Sequence, residues 1–477
     1  MHMLRRVVSS IGLLLAGVIY LGWQWAHRGV STYGASVFPY SDADEWRYIS
    51  CSRLVLHGYA LFTQVFSAQP PLLFVSLASG MRLFGDSVTG AHLTEASFGL
   101  VGLAAACVLA YLLAGELAAA ATGLLLAVSP LYLVYSRAVE AEGPMMAMMT
   151  VGIALAVGYW RRGGRTLIVL AGLAIAAAIL FKLFAVAALV PAGWAVLLRP
   201  ASMRDRLLSL VLLGIAAALP VALEMALLAP GAQWDQVMRL HEQAGAIVLP
   251  GADSTLSLFR YFVHATLGLS AMAALGVCVL AARRRLPELS VLAVWLATFI
   301  VMLVAFHPLF QHHLAILLTG VGVAAGCGVG EAWTSLTERQ WTAPACVGLA
   351  AVIFLFAAPG MIHEDRHTVG PLSPSGSTLL AAYLTTHTGP GDMIATDDSE
   401  AAVLAGRLVP PALCDPSTVR YLAGYMPAAD VIAQTAHYHA QVAAPRATFA
   451  LEGAYVRWLD RHYRKMSLDG APLYTRR

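Results

Sequence analysis

Residues 207–229 read LLSLVLLGIAAALPVALEMALLA, and Glu224 is the only ionisable side chain among them. A helix needs about 20 apolar residues to cross the hydrocarbon core of a bilayer, so this stretch has the length and composition of a membrane span. Arg204 and Arg206 stand just before it, a basic flank of the kind that marks the cytoplasmic end of a span. Read outward by the same rule, the chain offers further spans near 7–25, 93–113, 116–134, 144–160, 166–181, 183–198, 261–282, 287–306, 311–329 and 343–360. The whole composition agrees, with 59% of the 477 residues hydrophobic, only 12% charged and a mean hydropathy of +0.70. A soluble domain carries about 25% charged residues; half that number cannot solvate a soluble surface of this size. The expected fold is an all-α polytopic membrane bundle of about 11 transmembrane helices. Thirty basic and 27 acidic residues leave a net charge of +3, so no basic field points to nucleic acid.

The arginines orient the bundle. With the N-terminus inside, the cytoplasmic connections hold Arg5/Arg6, Arg161/Arg162/Arg165, Arg199/Arg204/Arg206, Arg283/Arg284/Arg285 and Arg339, whereas the short external ones hold only Arg137 and Lys182. Counting 166–198 as one long tilted helix would move two arginine clusters outside, so two short spans turning at Lys182 fit better. This reading predicts a bacterial cytoplasmic-membrane protein with its C-terminus outside; the arginine-rich composition has only two lysines, Lys182 and Lys465. Residues 1–360 form the expected membrane domain, with 26–92 as a first external loop containing helical stretches near 45–57 and 71–84. Residues 361–477 carry 21 charges and form the expected extracytoplasmic domain. Within it, Asp392–Thr396 and Ala447–Leu451 read as strands, and Ser399–Arg407 and Tyr455–Met466 as helices, an alternation that predicts a small α/β domain. Cys107, Cys278, Cys327 and Cys346 lie in apolar runs without metal spacing, so a disulfide framework is not expected. Cys51 and Cys414 are both external on this topology, and a bond between them stays open.

Ionisable residues gather at one end of the spans. Asp42, Asp44, Glu45, Glu95, Glu140, Glu142, Lys182, Glu224, His264, His307, His312 and His313 all fall near the outer face. A charge at the bilayer centre costs about 2.5–3.5 kcal/mol on insertion scales, so such a gathering implies either solvated helix ends or a cavity open to the exterior. The densest pattern is Asp42-Ala43-Asp44-Glu45-Trp46-Arg47-Tyr48, followed by Gln69-Pro70-Pro71-Leu72. A helix beginning near residue 44 puts Asp44 and Tyr48 on one face, with the carboxylate at the positive end of the helix dipole. An ionised carboxylate there can orient a hydroxyl and take its proton; it can equally be an ordinary helix cap. Asp42 competes with Asp44 as the key acid.

Taken together, Asp44-Glu45-Trp46-Arg47-Tyr48, Pro70-Pro71-Leu72 and Leu83-Phe84-Gly85 resemble the GT-C membrane glycosyltransferases of family 39. That family includes the dolichyl-phosphate-mannose protein mannosyltransferases and the bacterial aminoarabinose transferases. Arg137-Ala138-Val139-Glu140-Ala141-Glu142-Gly143-Pro144 is similar to its second acidic site, with Glu142 in the acidic position. Pro308-Leu309-Phe310-Gln311-His312-His313-Leu314 is similar to a late external motif, and the tail around Gly391–Asp398 to the bacterial C-terminal domains.

The resemblance implies a GT-C fold and transfer of a sugar from a polyprenyl-phosphate (dolichyl-phosphate-like) donor to a hydroxyl acceptor on the outer face. The acceptor class, whether protein, lipid or polysaccharide, is left open. Asp44 is then the expected base or acceptor-orienting carboxylate, Glu45 and Glu142 are secondary acids, and Lys182 and Arg137 meet the donor phosphate. Asp42, Tyr48, Gln69, His312 and His313 are candidate substrate contacts. The aminoarabinose branch has an acid and then a lysine before the double proline; here Ala68 and Gln69 stand there and cannot bind metal and phosphate as those do. His312 and His313 are adjacent, so on an α-helix they diverge by about 100° and do not readily share a metal. No cofactor follows from the motifs, and a divalent metal has no support among them. A transporter or flippase of a lipid-linked solute would use the same acidic cavity without chemistry, and an assembly subunit would keep the fold alone.

Overall fold

The computed structural model describes residues 2–28, 44–247, 254–338, 348 and 376–477. Asp42 and, apart from Gly348, the expected span 343–360 lie outside the described residues. In chain order, α1 (His2–Ala26), α2 (Asp44–Leu56), α3 (Pro71–Phe84) and α4 (Val88–Ala114) come first. Next are α5 (Glu116–Ala127), α6 (Pro130–Tyr135), α7 (Glu142–Arg162) and α8 (Arg165–Phe181). A 3-10 segment, Leu183–Ala188, leads into α9 (Leu189–Leu198), and α10 (Met203–Leu227) follows. Two short helices, α11 (Pro230–Gln233) and α12 (Leu240–Ala244), precede α13 (Thr255–Ala265), α14 (Leu267–Ala282) and α15 (Leu286–Ala305). A second 3-10 segment, Gln311–Leu317, opens α16 (Leu318–Thr337).

Six of these stretches are long and apolar enough to cross a membrane, or seven if the bent pair α13 and α14 is one span. The expected span 261–282 is thus broken by a 90° bend at Thr266. There the Thr266 hydroxyl donates to the Phe262 carbonyl at 2.7 Å, a local bond that competes with the helix ladder. The expected span 116–134 breaks before Pro130, which lacks the N–H a continuing helix needs. At Lys182 the chain turns out of α8 with φ −156° and ψ 134°, so 166–198 is two segments, and both pack on α7.

The chain folds as two compact units. The first holds residues 1–28, 95–224 and 253–368. Its centre is the Gln311–Leu336 stretch, whose most apolar part is 94% buried, against 11% for α10. α16 reaches that depth through small residues: a Cβ at Gly326 would collide with Thr122 of α5, and the Thr122 hydroxyl donates to the Gly322 carbonyl at 3.5 Å. Close backbone approach through small residues is how helices pack where no hydrophobic effect drives them together. The apolar helix α1 is anchored by its few polar groups. Tyr20 donates to the Ala96 carbonyl at 2.9 Å, and Gln24 to the Leu133 carbonyl and to the Ser136 hydroxyl at 3.1 Å each.

The second unit joins residues 29–94, 225–252 and 369–477. Its tail contains α17 (Gly376–His387), β1 (Ile394–Thr396), α18 (Ser399–Leu404), α19 (Thr418–Leu422), α20 (Ala428–His437) and β2 (Val442–Ala444). A helical turn α21 (Thr448–Leu451), then α22 (Gly453–His462), β3 (Tyr463–Leu468) and β4 (Ala471–Arg476) complete it. The sheet order is β1-β2-β4-β3, with β1 and β2 parallel and the remaining pairs antiparallel. The α/β expectation holds, but its bounds shift: the strand expected from Asp392 begins at Ile394, the helix expected to reach Arg407 ends at Leu404, and two further segments differ more. Ala447–Leu451 is not a strand, because the Asp397 carboxylate accepts from the N–H groups of Arg446, Ala447 and Phe449 at 2.7–2.9 Å and so takes the donors a strand would use. The expected helix Tyr455–Met466 stops at His462, and Met466 lies in a hairpin turned by Asp469-Gly470, both at positive φ, the turn that such a dipeptide favours.

The first loop and the tail are stapled within this unit. Cys51 and Cys414 form a disulfide with their Cα atoms 5.3 Å apart. Arg53 grips Asp86 from Nε at 2.7 Å and Nη2 at 3.2 Å, and donates from Nη1 to the Arg407 carbonyl at 3.4 Å. The Arg420 guanidinium lies 3.5 Å from the Phe66 ring centroid, an attractive cation–π geometry.

Candidate active site

Each unit carries one cluster of candidate residues. In the first unit, α7 begins at Glu142 with Gly143 and Pro144 in its first turn. A proline is tolerated there because the first-turn N–H groups have no intrahelical partner. Gly143 is required by packing, since a Cβ would meet the Tyr135 carbonyl at 2.9 Å. The Glu142 side chain is fully buried, and its Oε1 accepts from Lys182 Nζ at the break after α8. His312 Nε2 lies 3.6 Å and His313 Nε2 3.8 Å from the same oxygen. Oε2 of Glu142 is buried without a hydrogen-bond partner among the described residues. The Phe184 ring edge covers His313 at 5.0 Å between centroids. The arrangement is a buried carboxylate among cationic or protonatable donors, placed where two helices end.

The two histidines therefore converge, against the expectation from α-helical geometry. Their segment is a 3-10 turn, the rings lie 4.4 Å apart at 90°, and one carboxylate oxygen lies within reach of both. Ligand atoms of Glu142, His312 and His313 come within 4.8 Å of one another, the spacing of a metal site. The tautomer argues against one. His313 Nδ1 accepts the Phe310 N–H at 3.2 Å, so the ring proton is on Nε2, the atom that would have to offer a lone pair to a metal. Lys182 already holds the carboxylate as well. These residues fit an anion better than a cation.

Arg137, expected beside Lys182, is buried and donates from Nη1 to the His27 carbonyl at 2.8 Å, with Trp23 5.4 Å away. It ties the 136–141 turn to the end of α1. Glu95 and Glu140 are buried in the same unit.

In the second unit, Asp44 lies in the first described turn of α2. Arg47 Nη1 donates to Asp44 Oδ1, and the Tyr48 hydroxyl to Oδ2 at 3.5 Å, the one-face pairing expected from their spacing. Asp44 remains partly exposed. Glu45 points the other way and is buried, with Oε2 3.3 Å from His92 Nε2. Tyr48 is held by an edge contact with Phe74 of α3 at 5.8 Å. Gln69 is buried in the turn before α3, where its N–H donates to the Ser67 hydroxyl at 3.2 Å and its carbonyl accepts from that hydroxyl at 2.7 Å. Pro70 caps α3 and Pro71 opens it. Sequence reasoning missed His92 and the Arg53–Asp86 pair. An ionisable side chain within an otherwise apolar run was the available signal for His92.

The described elements define an integral membrane protein, a helical bundle with a small C-terminal sheet. Residues 68–224 match the family model described as dolichyl-phosphate-mannose-protein mannosyltransferase. No curated protein matches the sequence. Among solved structures, ArnT from Cupriavidus metallidurans bound to undecaprenyl phosphate superposes with a TM-score of 0.67 at 16% identity, covering 98% of this chain and 97% of that one. The archaeal oligosaccharyltransferase AglB from Archaeoglobus fulgidus, in complex with an inhibitory peptide and a dolichol-phosphate, gives 0.56 at 13% identity, over 99% and 74%. The mycobacterial arabinofuranosyltransferase AftD gives 0.51 at 13% identity, over 100% and 40%. The chain has the GT-C fold and is family-39-like over residues 68–224.

Proposed function

We propose that this chain is a glycosyltransferase that moves a sugar from a polyprenyl-phosphate donor to a hydroxyl acceptor on the outer face of the membrane. The observation that carries the reading is the buried Glu142–Lys182 pair with both histidines around it. Ionisable groups inside a membrane bundle are expensive and mark ligand paths, and this group has an ammonium and an imidazole N–H to offer a phosphate. Lys182 is the better donor-phosphate residue of the two cations considered, because it shares Glu142 with both histidines, whereas Arg137 ties the 136–141 turn to the end of α1. The structures it resembles support a lipid-phosphate donor: one is bound to undecaprenyl phosphate and another to a dolichol-phosphate. The Cys51–Cys414 disulfide supports the outer face, since disulfides persist in oxidising compartments.

In the proposed reaction the acceptor oxygen attacks the anomeric carbon, the bond from that carbon to the phosphate oxygen breaks, and the lipid phosphate departs. The result is inversion. A phosphate leaving group needs little protonation, so Lys182 and His313 serve by stabilising its charge. Asp44, at the head of α2 and held by Arg47 and Tyr48, orients the acceptor hydroxyl and receives its proton. Glu45 holds α2 through His92, and Glu142 holds Lys182.

Detergent-purified protein incubated with radiolabelled polyprenyl-phosphate sugars and crude acceptors tests this reading, with wild type run beside Asp44→Asn and donor binding checked in both. Transfer lost only in the variant, with donor still bound, supports the assignment. Donors bound and never consumed would instead favour transport, which proteoliposome flux would register.

A further inference from the structure

A cavity of about 430 Å³ opens in the first unit, at the membrane end where α1 begins. Its walls include Arg5, Tyr111 at the end of α4, Gly115 and Glu116 at the start of α5, Arg161 at the end of α7 and Thr334 near the end of α16. The charges around it can be counted. Arg161 and Arg285 share Glu288 at 2.7 and 2.8 Å, Arg285 also holds Glu331 at 2.7 Å, and Arg283 holds Glu338 at 2.6 Å. Glu116 has Arg6 at 3.8 Å. The last carbonyls of α4 are taken too, Leu112 by Arg161 at 3.1 Å and Leu113 by Arg285 at 3.0 Å. Arg5 is left over. Among the described residues it forms no ion pair, and its Nε is buried without a hydrogen-bond partner. Beside it α5, a 12-residue helix, starts after Gly115 with no side chain capping its first turn, so its N–H groups and dipole add to the positive potential.

We propose that this cavity binds the phosphate of a membrane phospholipid headgroup, with Arg5 and the start of α5 as its donors. A guanidinium and a helix N-terminus together offer a phosphate charge-assisted hydrogen bonds. The depth of the cavity, at the ends of four spans and the start of α5, is the depth of lipid headgroups rather than of the bilayer core. The site lies apart from Glu142, at the opposite end of α7, and does not depend on the proposed reaction.

The test uses the full chain, delipidated in detergent, and follows melting temperature and native mass spectra on addition of phosphatidylglycerol, diacylglycerol or inorganic phosphate. Phosphatidylglycerol should stabilise the protein and give a one-to-one adduct that diacylglycerol does not. Arg5→Gln should weaken that binding about tenfold, the loss expected for a hydrogen bond to a charged group, and Arg5→Lys should retain most of it. Thr334→Leu, which fills the cavity and keeps every charge, should also lose the adduct, so a poorly folding Arg5 variant does not end the test. Equal stabilisation by inorganic phosphate would replace the lipid with a soluble ligand. Adducts indifferent to both Arg5→Gln and Thr334→Leu would overturn the site.

Discussion

Lys182, where the chain breaks after α8, donates to a carboxylate oxygen of Glu142 in the first turn of α7, and only 7% and 0% of the two side chains is exposed. Removing one partner of a buried pair leaves an uncompensated charge and typically costs about 3–5 kcal/mol, whereas replacing both is often nearly neutral. Lys182→Met should therefore lower the melting temperature sharply, and Glu142→Gln added to it should restore most of the loss. Melting of the two single variants and the double variant measures this coupling; additive losses would deny it.

Tyr48 bonds Asp44 at 3.5 Å and also packs on Phe74. Tyr48→Phe keeps the ring contact and removes only the hydroxyl. Transfer should fall by no more than about tenfold with the melting temperature unchanged, while Asp44→Asn should cost about 100-fold or more, the range of a general-base contribution. Initial rates at saturating donor separate the two.

Two carboxylates of the second unit give opposite pH dependences. Burial opposes ionisation of Asp86, but the hydrogen bonds and charge of Arg53, helped by His57, outweigh it and hold this carboxyl below its usual range. Its stabilisation is complete above the unfolded value near 3.9 and is lost as pH falls through the folded one. Glu400 is pushed up by burial first, then by the charges of Asp398 and Glu45. Its cost is absent below the unfolded carboxyl range and grows as pH rises through the raised value. Glu400→Gln should thus raise the melting temperature at pH 7 and change nothing near pH 4. Asp86→Asn should lower it at pH 7, with the difference shrinking in acid.

The Cys51–Cys414 bond closes a separation of 363 residues. Cross-links of this kind typically contribute about 2–4 kcal/mol, so Cys51→Ser, Cys414→Ser and the double variant should all melt lower than wild type and alike. Reductant should bring wild type to the same temperature and leave the variants where they are.

Much of this was legible residue by residue. The apolar run at 207–229, the helix carrying Asp44 and Tyr48 on one face and the chain break at Lys182 all follow from local composition, because each depends on a length, a spacing or a single charge. What escaped depends on partners far along the chain. The 446–449 segment fails to become a strand because Asp397, some fifty positions earlier, takes its N–H groups. Glu45 turns inward because His92 waits at the start of α4. His312 and His313 meet at one carboxylate because Glu142 is brought between them, which no periodicity of their own segment encodes.

The disulfide also fixes an order of events during synthesis. The helix bearing Asp44 leaves the ribosome early, yet its partner Cys414 arrives only after every described span has been made. The acidic motif therefore receives its covalent anchor after the bundle has been threaded into the bilayer. A stalled or truncated chain would carry Asp44 on a helix that no disulfide has yet locked.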